Sequence, residues 1–172
     1  MRRAVFLDLN GTLVNPILVD HPRELNLIGG AADAVARLHS AGFICPVVTV
    51  QSRIEKGLFT EADFLEWFAT LKDEMAACGA VIEGPYVCPH RPRTRCACAK
   101  PNTLLYERAA EDLGIALGES FVIGDSLADV EAARRFGGKG CLVGGGRQPA
   151  ALADCIAGTL DDAVSWILGE LH

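Results

Sequence analysis

Short apolar runs alternate with helix-patterned segments along the chain, and this alternation constrains the fold more than any other feature. Ala4 to Leu7, Phe43 to Val50, Ala80 to Val87, Phe121 to Gly124 and Gly140 to Val143 read as buried strands. Between them, Ala31 to Ser40, Thr60 to Cys78, Asn102 to Leu113 and Ser126 to Phe136 read as helices, with Pro149 to Cys155 and Asp161 to Leu171 following. Strands that alternate with helices predict an α/β fold with a parallel sheet. Local signals agree. Gly42 and Gly114 suit helix stops. Thr60 with Asp63 resembles a capping box ahead of the apolar stripe Phe64, Leu65, Phe68, Leu71, Met75. Pro46 inside a strand predicts a bulge or an edge position.

The 172 residues suit one domain. With 50% hydrophobic and 22% charged residues, the chain is not of a disordered class. Its 16 basic against 22 acidic residues, net −6, argue against a non-specific nucleic-acid binder. Phe43 to Val50 is too short to span a bilayer, so no membrane partner is expected. The apolar stretch after Arg2-Arg3 ends at Asp8, too soon for a secretory leader, and the expected location is the cytoplasm. Seven cysteines, an odd number, in a reducing compartment argue against a disulfide framework. Cys45, Cys78, Cys141 and Cys155 have apolar neighbours and read as core.

In parallel sheets ligands bind outside the carboxyl ends of the strands. The first strand ends in Asp8-Leu-Asn10-Gly11-Thr12 and the second in Thr49-Val-Gln51-Ser52-Arg53. Lys100-Pro101 opens a later helix, and the Phe121 strand delivers Gly124-Asp125-Ser126 with Asp129 beyond. Taken singly, these residues read as turn formers, helix caps or solvated charges. Together they supply carboxylates for Mg²⁺, a hydroxyl, an ammonium group and a carboxylate able to attack phosphorus. Gly11 allows close backbone approach to a phosphate.

Cys88-Pro-His90 and Cys96-Ala-Cys98 offer three thiolates and one imidazole, the ligand count of a closed, structural zinc site. The alternative is a reduced, mobile loop rich in cysteine.

The motifs DLNGT, VVT, the Lys100 position and GDSLAD resemble, in order, the four motifs of the haloacid dehalogenase-like phosphatase superfamily. The similarity continues through VVTVQSRIEKGLFTEADF, CPHRPRTRCACAKP and LVGGG. It points to the subfamily IIIA branch that holds histidinol-phosphate and heptose-bisphosphate phosphatases. It covers about Val5 to Gly146. It implies a Rossmann-like three-layer α/β/α core with minimal or no cap, a single domain over 1–172, and a zinc loop at about 85–101. It implies a Mg²⁺-dependent phosphoric monoester hydrolase of carbohydrate metabolism, acting on a small phosphorylated metabolite such as a sugar phosphate. By resemblance, Asp8 is the nucleophile, and Asp8, the Asn10 carbonyl and Asp125 hold Mg²⁺. Thr49 and Lys100 meet the phosphoryl group. Asp129 orients Lys100 or a metal-bound water. Gly11, Thr12, Gln51 and Ser52 support the phosphate, and Cys88, His90, Cys96 and Cys98 hold Zn²⁺. A monomer is the favoured state.

The chain departs from the family at position 10, where the acid/base Asp is replaced by Asn10. An amide neither donates a proton to an alkoxide nor activates water. An introduced change, a phosphatase attenuated or tuned to good leaving groups, and a phosphoester-binding protein without turnover all fit this residue. Leu9 and Ala99 stand where the branch commonly has Arg, and the latter argues against a bisphosphate. Arg53, Arg91, Arg93 and Arg95 are read either as replacement anion contacts or as solvated charges, with Arg53 the leading substrate candidate.

Overall fold

The computed structural model describes residues 1–144 and 150–171. Its centre is a six-stranded sheet. The strands are β1 (Val5–Leu7), β4 (Pro46–Val50), β5 (Glu83–Cys88), β6 (Phe121–Gly124), β7 (Lys139–Val143) and β8 (Cys155–Ala157), ordered β5-β4-β1-β6-β7-β8. Every neighbouring pair is parallel. The remaining strands, β2 (Val14–Asn15) and β3 (Asn26–Leu27), form a small antiparallel pair. The helices are α1 (Ala31–Ser40), α2 (Ser52–Glu55), α3 (Glu61–Ala76), α4 (Leu104–Leu113), α5 (Leu127–Phe136) and α6 (Leu160–Gly169).

The period-2 pleat explains the three layers, since successive side chains of a strand leave opposite faces. Val5 and Leu7 enter one core with Phe121, Ile123, Cys141 and Val143, covered by α1, α3 and α6 through residues such as Val35, Phe68 and Ile167. Ala4, Phe6 and Val122 enter the other, covered by Tyr106 and Ala109 of α4 and Ala132 and Ala133 of α5. This is the Rossmann-like α/β/α arrangement. The only chain inserted after β1 is the β2–β3 hairpin with its loop, so the cap is minimal among the described residues.

Thr60 and Asp63 form the capping box of α3. Gly114 ends α4 with φ +66°. Pro46 stands in an inner strand, at a register shift between Pro46 and Val48, so the bulge is the device that admits it. Two expectations are corrected. Cys155 lies not in a helix but in β8, paired with Cys141, and only Ala150–Leu152 is helical, as a 3₁₀ turn. The segment is too short for its period to distinguish helix from strand, and pairing with β7 decides. Cys78 is exposed, because it falls past Met75 in the turn that leaves α3. Of the Gly144–Gly146 run, Gly145 and Gly146 lie outside the described residues, as do Pro149 and His172. No described helix is long and apolar enough to cross a membrane.

Candidate active site

The carboxyl ends of β1, β4 and β6 converge on one cavity of about 320 Å³. Asp8 follows β1 directly, its N–H still held by the Ile123 carbonyl at 3.0 Å. The chain then turns tightly, with Leu13 N–H on the Leu9 carbonyl at 2.8 Å and Gly11 N–H on the Val14 carbonyl at 2.8 Å. Gly11 has φ +86°, and a Cβ there would lie 2.2 Å from the Asp125 carboxylate. Only glycine allows the first loop to pass this close to the second acid. Thr12 is buried and directs its hydroxyl toward Asp8 Oδ2 at 3.4 Å.

From β6 comes Gly124-Asp125-Ser126, then α5. Ser126 caps α5, and Asp129 completes the box by accepting from the Ser126 N–H at 3.2 Å and hydroxyl at 2.8 Å. The other oxygen of Asp129 accepts from Lys100 Nζ at 2.7 Å. One carboxylate therefore caps a helix and orients the lysine. A Cβ at Gly124 would strike this carboxyl at 2.2 Å, so the close strand–helix approach requires glycine.

Lys100 also reaches Asp8 Oδ1 at 2.8 Å, with a side chain only 5% exposed. Burial alone would lower its pKa, but Asp129 and Asp8 outweigh that and hold the ammonium well above its usual range. Burial pushes the Asp8 carboxyl up; Lys100 draws it back and Asp125 adds to the rise. Carboxylate oxygens of Asp8, Asp125 and Asp129 lie within 4.8 Å of one another. Three acids against one ammonium leave an excess of negative charge on hard oxygen donors, a set suited to Mg²⁺.

Thr49, the last residue but one of β4, is buried and accepts from Gln51 Nε2 at 2.9 Å. The same amide group donates to Asn10 Oδ1 at 2.9 Å, while Asn10 Nδ2 donates to the Ile17 carbonyl at 2.9 Å. Both ends of the Asn10 amide are thus engaged. Ser52 and Arg53 line the cavity, and Arg53 Nε is buried without a hydrogen-bond partner among the described residues. Arg91, Arg93 and Arg95 are exposed and do not line it. Leu9 is fully buried in the core. The apolar part of the lining includes Ile17, Leu18, Val19 and Val50, of which all but Val19 are exposed.

The cysteine loop leaves β5 beside this site. Cys88 Sγ lies 3.5 Å from His90 Nδ1 and 3.7 Å from Cys96 Sγ, and His90 Nδ1 lies 3.2 Å from Cys98 Sγ. Burial pushes the Cys88 thiol up to about 12, so a thiolate there calls for a cation. Glu55 of α2 accepts from the Arg91 N–H and the Thr94 hydroxyl, tying this loop to the helix that carries Arg53.

The sequence reading brought Asp8, Asn10, Thr49, Gln51, Ser52, Arg53, Lys100, Asp125 and Asp129 to one place, and the fold does the same. It missed three contributors. The Ile17 carbonyl clamps Asn10, Glu55 braces the loop, and Tyr106 is buried beneath the site with its hydroxyl unpartnered among the described residues. None carries a motif. Ile17 acts through its backbone, and the others through folding of distant segments.

A carboxylate held by a buried lysine, with further acids beside it at the strand ends of a Rossmann-like sheet, is an arrangement suited to one class: enzymes that transfer phosphoryl groups. A family model described as HAD-hydrolase-like matches residues 97–164. The D-glycero-beta-D-manno-heptose-1,7-bisphosphate 7-phosphatase of Haemophilus ducreyi is 34% identical, covering 96% of this chain and 98% of its own. The probable D-glycero-D-manno-heptose-1,7-bisphosphate 7-phosphatase of Thermoplasma volcanium is 36% identical, over 78% of this chain and 93% of its own. The structure of D,D-heptose 1,7-bisphosphate phosphatase from B. bronchiseptica, complexed with magnesium and phosphate, superposes with a TM-score of 0.86 at 28% identity, covering 98% of this chain and 99% of that one. The chain belongs to the haloacid dehalogenase-like phosphatases, in the family of these relatives. It is a phosphoric monoester hydrolase of a Mg²⁺-using superfamily.

Proposed function

We propose that Asp8 attacks the phosphorus of a small phosphorylated sugar, forming a phospho-aspartate that water then hydrolyses. The observation that carries this reading is the Lys100 ammonium bridging Asp8 and Asp129 at 2.8 and 2.7 Å, inside a cavity at the strand ends. Asp8, the Asn10 carbonyl and Asp125 would hold Mg²⁺, which supplies charge neutralisation at the transferring phosphoryl group. Lys100 opposes the remaining charge, Thr49 and Ser52 meet the phosphoryl oxygens from the cavity wall, and Thr12 and the Gly11 turn support Asp8 from behind it. Gln51 positions Thr49 and Asn10. Asp129 holds Lys100 in place. The whole forms one domain over 1–172, at work as a monomer in the cytoplasm.

The substrate is read as a sugar monophosphate. Ala99 offers no cation ahead of Lys100, and the buried Leu9 side chain cannot reach a ligand. Arg53 is the remaining cation on the cavity wall, and it meets a second polar or anionic group of the sugar. A hydrogen bond to a charged group contributes about 1.5–3 kcal/mol. Arg53→Ala should therefore raise KM about tenfold or more with kcat little changed. Steady-state kinetics on a panel of sugar phosphates with Mg²⁺ test both points. No turnover of any member would overturn the substrate reading, and an unchanged KM would remove Arg53 from the site.

Cys88, His90, Cys96 and Cys98 hold a structural Zn²⁺ within the loop at about 85–101. Their spacing supports this, because tetrahedral thiolates at a normal zinc–sulfur bond length sit just under about 4 Å apart. Cys98 is two residues from Lys100, so the metal also sets the lysine. Cys98→Ser should lose zinc, unfold at lower temperature and turn over more slowly. Metal analysis with thermal unfolding decides it. A zinc-free natural chain with the same melting temperature as the variant would refute the site.

A further inference from the structure

Hydrolysis of a phospho-aspartate requires the attacking water to lose a proton as the bond between phosphorus and Asp8 breaks. Among the described residues, each polar side chain around the cavity is already engaged or unable to accept that proton. Asn10 gives its oxygen to Gln51 and its N–H to the Ile17 carbonyl, both at 2.9 Å. Asp129 accepts from Lys100 on one oxygen and from Ser126 on the other. Asp125 is one of three carboxylates that could hold a cation, and in the function proposed above it is a ligand of Mg²⁺. Thr49 accepts from Gln51. Lys100 and Arg53 are cations. The rest of the lining is Ile17, Leu18, Val19, Val50, Ala128 and the hydroxyls of Ser52 and Ser126.

We infer that this chain dwells as its phosphoenzyme, with release of phosphate from Asp8 the slow step for any donor whose leaving group departs without a proton. This rests on the reading of Asp8 as nucleophile. In the first step Asp8 Oδ bonds to phosphorus, and the bond to the leaving oxygen breaks with its electron pair. An acyl phosphate or an aryl phosphate releases a carboxylate or a phenolate, so the missing acid at position 10 costs little. In the second step water bonds to phosphorus, the Asp8–phosphorus bond breaks with its electron pair returning to the carboxylate, and the water proton passes to solvent because no side chain among the described residues takes it. Absence of a positioned base slows such a step by about 10²–10⁴-fold. The asymmetry between the two steps fills the phosphorylated state.

The test uses the natural chain with Mg²⁺ and p-nitrophenyl phosphate or acetyl phosphate, quenched in acid at intervals for intact-mass measurement. The expected result is a burst of p-nitrophenol approaching one per chain, then slow release. A matching mass increase of one phosphoryl group should appear with both donors and be missing in Asp8→Asn. Asn10→Asp should abolish the burst and the adduct while raising steady turnover about 10²-fold or more. The inference is overturned if the natural chain turns over steadily with no burst and no adduct, since a base must then be acting. It is also overturned if Asn10→Asp leaves both unchanged. If natural chain and Asn10→Asp alike show neither turnover nor adduct, the phosphatase reading itself fails, and the inference falls with it.

Discussion

Asp8→Asn is expected to reduce phosphate release by at least about 10⁴-fold, the scale on which covalent catalysts fail when their nucleophile is removed. The substitution keeps the side chain's shape and removes its charge. Burial and the neighbouring Asp125 both raise the pKa of this carboxyl, so the charge is held there at a cost to the fold. The variant should therefore melt no lower than the natural chain in the absence of Mg²⁺, while losing turnover in its presence. Phosphate release and thermal unfolding, each with and without Mg²⁺, separate the two effects. Residual turnover within tenfold of the natural rate would place the nucleophile elsewhere.

Lys100→Met has the opposite signature. The ammonium is nearly buried and lies between Asp8 and Asp129, whose side chains are 12% and 1% exposed. Removing one member of a buried charge pair typically costs about 3–5 kcal/mol, because its partners remain buried without compensation. Here two acids lose their common partner, and the buried Tyr106 hydroxyl beneath them carries no positive charge to replace it. The variant should lose most turnover and also melt several degrees lower. Mg²⁺ should restore part of the stability, since a cation relieves the same repulsion. A variant as stable as the natural chain would mean that Asp129 is satisfied by the α5 cap alone.

The Asp129 case illustrates how the sequence could be read two ways and both hold. Three residues after Ser126, an acid suits a helix cap, and it does cap α5. Its second oxygen is free to meet Lys100 only because the cysteine loop returns over the strand ends. Asn10 is similar. Its identity was plain from the chain, and with it the loss of an acid/base. That its amide is clamped by Gln51 and a backbone carbonyl from Ile17 was not legible, since neither contact follows from spacing.

What the sequence by itself determined was the order of strands and helices, and the placing of Asp8, Thr49, Lys100 and Asp125 at or near strand ends. Both follow from local chemistry: apolar periodicity, capping residues, and the rule that a parallel sheet presents its loops at the carboxyl edge. Tertiary structure alone decided three things. Cys155 became a strand because β7 offered an unpaired edge, which a three-residue segment cannot signal. Cys78 became exposed because α3 ends at Ala76, two residues before the expected boundary, and the chain turns there. Arg53 entered the cavity, and Arg91, Arg93 and Arg95 did not, because Glu55 ties the loop to α2 in one orientation. For Cys155 and Arg53 the deciding contact joins separate segments of the chain, so its energy is invisible to a local window.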